Sequence, residues 1–380
     1  MTRARDLANF ADGTIGDVSG NLTGNVNGYT PQASNMQPFN RIINGAMTID
    51  QRNAGAAVTV NTGNAFYCMD RYFGAGTSSA GVFTVQQSST VPVGFNSSAL
   101  ITVTTSATPS GTDNYRFNQA IEGLNVADLN WGSSNAQAVT LSFWVRSSLT
   151  GTFGGALQNS DKSRTYPFSY TISSANTWEQ KTITVAGDTT GTWLTTNGIG
   201  VLVIWCLGAA DRLGTANAWS STRYDGVTGQ VNLISTSGAT FYITGVQLEA
   251  GSFGSSFAHE NVGDTLRKCQ RYFQLMTNGV SGKAVSGGGG FYSAAIASCP
   301  TPLKVTMRAT PTISSNSGTN YWAIFNNSAS TLFNAFGGII GEATADIAGA
   351  YVSGLSRTAG HYGYFISNNA SAFLAFQAEL

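Results

Sequence analysis

Apolar and polar residues alternate with a period of two along much of this chain. The alternation is plainest in Val139-Leu141-Phe143-Val145 and in Tyr166-Phe168-Tyr170-Ile172. Successive side chains of a strand point to opposite faces, so each run predicts a strand with one face in a core. Strands are predicted over Ala65–Phe73, Val82–Gln87, Leu100–Thr105, Tyr115–Ile121, Val139–Arg146, Thr165–Ile172, Lys181–Val185, Val201–Leu207, Val231–Ile234 and Phe241–Leu248. Turn-rich segments separate them at regular intervals. That rhythm specifies an all-β sandwich, and so many strands favour a jelly roll. Residues 259–275 break the rhythm. Val262, Leu266, Cys269 and Phe273 recur at three- and four-residue spacings, which predicts a short connector helix. Short apolar-aromatic strands return at Phe291–Ile296, Tyr321–Phe325, Leu332–Phe336, Tyr362–Ile366 and Phe373–Phe376, enough for a small C-terminal β-sandwich.

A different period marks the N-terminal region. After a segment with Ala4, Leu7, Ala8 and Ala11 at helical spacing, the chain reads GDVS-GNLT-GNVN-G. In an extended ribbon Gly16, Val18, Gly20, Leu22, Gly24 and Val26 share one face, and the other face is wholly polar. One ribbon cannot bury its own aliphatic row. Three copies around an axis enclose it, with glycine permitting close backbone approach. The repeat therefore predicts a homotrimeric, intertwined β stem. The expected division is a docking segment at 1–13, the stem at 14–40, the jelly roll at 41–258, a connector helix and Gly-rich loop at 259–290, and the C-terminal β domain at 291–380.

Composition narrows the function. Lys plus Arg and Asp plus Glu each number 19, and charged residues make up 10% of the chain, against about 25% on average. Without net charge or a basic run, phosphate-driven nucleic-acid binding is not expected. No apolar stretch approaches a membrane span, so membrane insertion is not expected either. The start has no apolar core of a secretion signal. Cys68, Cys206, Cys269 and Cys299 are scattered and read as isolated buried thiols. With two histidines in the chain a zinc site is not expected, no cofactor is expected, and no motif supports a structural cation at a jelly-roll edge. Gly287–Gly290 lacks the Gly-Lys-Ser/Thr close of a phosphate loop and reads as a flexible loop.

Several long segments, in order, resemble bacteriophage tail-fibre and receptor-binding proteins with a carbohydrate-binding-module-like jelly roll. They are NRIINGAMTIDQRNAGAAVTV (40–60), YCMDRYF (67–73), SFWVRSS (142–148), WEQKTITVAGDTTGTW (178–193), FYITGVQLEAGSFGSSFAHE (241–260), LRKCQRYF (266–273), PLKVTMRATPT (302–312) and the terminal AEL. The resemblance implies a trimeric virion component. Its N-terminus would join other tail proteins, and its distal domains would adhere to host surface polysaccharide. Tyr242, Gly245, Leu248 and Gly251, and the run Arg271-Tyr272-Phe273, read as fold markers within it. A structural tail or baseplate component and a glycan-degrading tailspike are the alternatives.

Glycan cleavage needs paired carboxylates. Asp12/Asp17 and Asp211/Asp225 are the nearest pairs in sequence, and neither carries a catalytic motif. His259 reads as a helix cap or hinge and His361 as a strand-start residue, so no catalytic residue is expected. Binding has better candidates. Asp211, Arg212, Trp219, Arg223, Tyr224 and Asp225 crowd one long loop, and loops of that length in compact domains often carry function. An aromatic ring covers the apolar face of a sugar, and Asp and Arg bond its hydroxyls. Contact between subunits and ordinary packing are the other readings of this loop. Trp131 and Trp193 are weaker candidates. Tyr321, Trp322, Arg357 and Tyr362 form a further candidate surface in the C-terminal domain. Few charges suit a neutral polysaccharide.

Overall fold

A computed structural model describes residues 40–278, 281–282, 288–326, 329–356 and 359–380. The docking segment, the stem residues Gly16, Val18, Gly20, Leu22, Gly24 and Val26, and Arg357 lie outside the described residues. The chain from Asn40 is almost wholly β, as the alternation predicts. Its strands are β1 (Val58–Val60), β2 (Gly63–Met69), β3 (Tyr72–Gly76), β4 (Val82–Ser88), β5 (Ser98–Thr105), β6 (Asn114–Glu122), β7 (Val139–Ser147), β8 (Gly151–Gln158), β9 (Thr165–Ile172), β10 (Glu179–Val185), β11 (Ile199–Ala209), β12 (Leu213–Gly214), β13 (Gly226–Val227) and β14 (Thr240–Ala250). Two six-stranded antiparallel sheets result, in the orders β1-β4-β5-β14-β7-β10 and β2-β3-β6-β11-β8-β9. Val139, Leu141, Phe143 and Val145 from one sheet and Phe117, Phe168, Val203 and Trp205 from the other meet in a single core. Each such side chain contributes about 1.5–3 kcal/mol on leaving water.

Five expectations about strands change, two of them in the C-terminal domain, where Phe291–Ile296 is strand only at Phe291 and Leu332–Phe336 only at Leu332 and Phe333. Ala65–Phe73 is two strands, because Arg71 adopts a left-handed backbone conformation (φ 74°) and the chain reverses at Asp70-Arg71. Val231–Ile234 is not a strand; a 3₁₀ turn occupies Leu233–Ser235. Strand β8 was not anticipated, because in GTFGGALQ only Thr152 and Phe153 are β-formers and three glycines interrupt the alternation. Tertiary packing demands its glycines. A Cβ on Gly155 would lie 2.2 Å from the Ile204 carbonyl oxygen and 2.4 Å from the Phe168 ring.

The connector helix α1 (Val262–Gln270) is shorter than the 259–275 segment. Its N-cap is Asn261, whose side chain accepts from the Gly263 amide, and not His259. Cys269 is buried, Val262 is exposed, and Phe273 opens a strand. The following strands are β15 (Phe273–Asn278), β16 (Gly289–Phe291), β17 (Ala297–Pro302), β18 (Thr312–Ser315), β19 (Trp322–Asn326), β20 (Ala329–Phe333), β21 (Gly338–Ile339), β22 (Ile347–Val352), β23 (Tyr362–Ser367) and β24 (Phe373–Gln377). They form sheets ordered β15-β24-β18 and β20-β19-β23-β16-β17-β22-β21, with their own core around Phe291, Trp322, Phe365 and Leu374.

The two sandwiches are locked together by segments that looked distinctive in sequence. Glu379 accepts from Arg52 at 2.6 Å and from Arg71. Arg308 donates to the carbonyls of Ala378 and Glu379, both at 2.8 Å. The guanidinium of Arg52 lies 3.7 Å from the Phe273 ring centroid and that of Arg71 3.5 Å from Tyr272. Glu122, buried in β6, takes Arg271 through both carboxylate oxygens (2.6 and 2.8 Å) and the Tyr272 hydroxyl at 2.5 Å. Thus QRN, MDRYF, QRYF and AEL are four sides of one clamp. All four cysteines are buried free thiols. Burial pushes Cys68 and Cys206 up to about 12, which leaves both inert.

Candidate functional site

The predicted loop folds over the outer face of the second sheet and divides its six candidates into two groups. The first group centres on Asp225, which has no exposed surface. Its carboxylate lies 3.3 Å from Arg223, 3.6 Å from Arg212 and 3.7 Å from Arg116 of β6. Gln158 of β8 donates to it at 2.7 Å. Backbone bonds from Asp225 and Gly226 to the Arg212 carbonyl hold the two ends of the loop together. Tyr224 is half-buried, with its ring against Gly214. Asp211 is exposed, 4.0 Å from Arg212. Asp211 and Asp225 thus flank an arginine, and the buried Asp225 anchors guanidinium groups rather than facing a cleft.

Trp219 stands apart from that group. Its indole donates to the Ala186 carbonyl at 2.8 Å, and its ring meets Trp131, Trp193 and Tyr166 edge-on at centroid distances of 5.2–5.5 Å. Arg164, bonded through two atoms to the buried Asp188, covers the same cluster. Trp131 and Trp193 are both nearly buried. In the C-terminal domain Trp322 is a core residue, so it does not belong to a surface with the exposed Tyr362.

A second site was not anticipated. It is a cavity of about 240 Å³ lined by Ile42, Gly45, Thr48, Phe95, Asn96, Phe257, His259 and Glu260, among others. Three distant segments build it. Residues 40–46 seal the irregularity in β14. The Asn40 amide donates to the Val246 carbonyl (3.0 Å), and the Val246 amide donates to Gly45 (2.9 Å). A Cβ on Gly45 would sit 2.1 Å from the Val246 oxygen, so glycine is required there. The loop between β4 and β5 brings Phe95, fixed by the Thr244 hydroxyl on the Ser97 carbonyl (2.7 Å). The loop after β14 brings Phe257 and His259. Gln247 and Glu249 pin it, Gln247 accepting from the Ala258 amide and Glu249 from the Ser255 amide, both at 2.8 Å.

Phe95, Phe257 and His259 form a closed triangle with centroids 4.9–5.3 Å apart. Both phenyl rings are half-buried and His259 is exposed, so ring surface remains free at the mouth. Asn96 is exposed beside them, while Glu260 is tied to Lys268 and Thr265. Ring surface with a few polar groups is the composition of small-molecule sites. The volume is just under the roughly 300–1,000 Å³ of such pockets and suits one ring of a larger ligand. Neither site has a cleft with two facing carboxylates. Among the described residues, no group of three His, Cys, Asp or Glu side chains is placed to hold a metal, and no helix is long and apolar enough to cross a membrane.

No family model matches the chain, and no curated protein matches it. Solved structures do resemble it. The enzymatically active domain of tailspike protein 4 of bacteriophage CBA120 is 13% identical, over 56% of this chain and 21% of that one, with a TM-score of 0.30. A CBM4 module is 18% identical over 55% of this chain and 98% of its own, with a TM-score of 0.27. A family 11 carbohydrate-binding module from Clostridium thermocellum, in complex with a mixed-linked tetrasaccharide, is 9% identical over 52% and 97%, with a TM-score of 0.27. The chain therefore spans about a fifth of the tailspike chain it resembles.

Proposed function

We propose that this chain is a phage tail-fibre or receptor-binding protein that attaches the virion to host surface glycan, without catalysis, as a homotrimer. The observation that carries the binding reading is the Phe95–Phe257–His259 triangle at the mouth of a 240 Å³ cavity. The apolar face of a sugar ring lies on the phenyl surface, and Asn96 and His259 meet its hydroxyls. One such contact is weak. Three on one trimer raise avidity by orders of magnitude when they engage together. The Gly-x-x-x repeat supports the trimer, and the tail-fibre-like segments support the place in the virion.

The test is titration of the full chain against a panel of neutral surface oligosaccharides, together with its mass in solution and the binding of labelled protein to susceptible cells. Phe257→Ala is expected to weaken neutral-glycan affinity by about tenfold or more, equivalent to ~1.4 kcal/mol or more, at unchanged trimer mass. A trimer that binds neither glycan nor cells would overturn the attachment reading and leave a structural tail component. Product released from the glycan would overturn the non-catalytic one.

A further inference from the structure

We propose that the Asp225 cluster is a second binding site, one that takes the oxyanion of an acidic sugar, a carboxylate or phosphate substituent on the surface glycan. It rests on the carbohydrate reading above but uses different residues and different chemistry. The cluster has more positive charge than it can neutralise. Arg116, Arg212 and Arg223 share one buried carboxylate, and Lys162 stands in the same field. Asp211, exposed, lies 4.0 Å from Arg212. Asp161, beside Lys162 in the chain, is committed to the Ser163 amide and hydroxyl.

The ion pairs are also loose. At 3.6 and 3.7 Å, Arg212 and Arg116 stand beyond good hydrogen-bond distance from Asp225, so their donors are not consumed. The Nε atoms of Arg116 and Arg223 are buried without hydrogen-bond partners. Open Nε atoms also occur at Arg52 and Arg71 of the clamp, so the feature that points to a ligand here is the long ion pairs of three arginines on one carboxylate. Burial lowers the pKa of both Arg116 and Lys162, and the neighbouring guanidiniums lower each further. An arriving anion reverses that penalty; a metal cation would add to it. Access is open, because the side chains of Arg212 and Arg223 are 23% and 25% exposed and Lys162 is exposed. The planar fork of arginine matches carboxylate and phosphate oxygens in pairs.

The experiment titrates the full chain with a galacturonate tetramer, a mannose-6-phosphate-bearing oligomer and a neutral galactose tetramer, at low and high ionic strength. At least one acidic probe is expected to bind about tenfold tighter than the neutral one and to weaken with salt. Whichever does so identifies the oxyanion. Arg223→Gln and the surface variant Lys162→Gln are each expected to lose about fivefold or more of acidic-probe affinity while leaving neutral-probe affinity intact. Equal affinity for acidic and neutral probes, or full acidic binding by a folded Lys162→Gln and Arg223→Gln pair, overturns the site. Neutral binding abolished by Phe257→Ala, with no preference for acid, removes this proposal and keeps the proposed function. Binding of no probe removes both.

Discussion

Two regions of this molecule use the same ingredients, a carboxylate ringed by arginines, and use them to opposite ends. At the clamp, Glu379 meets Arg52 at 2.6 Å and Arg71 at contact distance. Both guanidinium faces lie on aromatic rings, and Arg308 donates to three main-chain carbonyls. Around Asp225 the pairs stretch to 3.3–3.7 Å, and a lysine is added without a matching acid. The neighbouring groups register the difference. At the clamp an acid is disfavoured: burial, with the Glu379 charge adding to it, pushes Asp70 up to about 7 despite Arg52. At the Asp225 cluster it is the cations that are disfavoured. A closed charge cluster holds domains together, and an open one is prepared for a ligand.

The largest expected effect tests the closed cluster. Glu379→Ala leaves Arg71, whose side chain is 1% exposed, without its counter-ion. Removing one partner of a buried pair typically costs about 3–5 kcal/mol. Chemical denaturation of the variant checks it, and a loss under about 1 kcal/mol would mean the clamp is no tighter than a surface pair. The next effect is a pH profile. Asp70 has a folded pKa above its unfolded value, so the folded protein binds more protons between about pH 4 and 7 and stability falls as pH rises through that window. A shift of about three units sets an upper bound of ~4 kcal/mol. Asp70→Asn is expected to flatten that fall, read as denaturation midpoints across the window. Glu122 works in the opposite direction. Burial raises its pKa, but the Arg271 and Tyr272 hydrogen bonds outweigh that and hold it below the ordinary value. Its contribution is present above the unfolded pKa and is lost as pH falls through the folded one.

How much of this could be read in the sequence follows from distance along the chain. The strands were legible because alternation is local, and Thr165–Ile172 matches residue for residue. Strand β8 was not, since its glycines answer to Ile204 and Phe168, which the local pattern does not reveal. The Asp225 cluster was partly legible because Asp211, Arg212, Arg223 and Asp225 lie within fifteen residues. Its other members, Arg116, Gln158 and Lys162, come from other strands and turns. The aromatic cavity was invisible. Phe95 and Phe257 are ordinary singly placed residues until the β14 irregularity and residues 40–46 bring their loops together. The one available signal was the dense FGSSFAHE segment, and it read as fold rather than site. Trp219 shows the converse case: a tryptophan in a polar loop reads equally as ligand platform, subunit contact or packing, and only its long-range partners Trp131 and Trp193 show what its ring rests on.

The smallest expected stability changes belong to the open cluster, and that asymmetry is the sharpest test of the comparison. Arg223→Gln leaves Asp225 with Arg116, Arg212 and the Gln158 amide, so unfolding free energy should fall by no more than about 1–2 kcal/mol. Lys162→Gln removes a cation that burial and three guanidiniums already disfavour. Its stability should change by less than about 0.5 kcal/mol, as for most surface substitutions, and the direction should be upward at low salt, where the relieved repulsion is least screened. Thermal melts of both variants at two ionic strengths decide it. If Lys162→Gln destabilises the protein by as much as Glu379→Ala, the lysine is a structural member of a closed network, and the two carboxylate clusters are of one kind. If it is neutral or slightly stabilising while acidic-sugar affinity falls, the surplus charge is held for a ligand that supplies the missing anion.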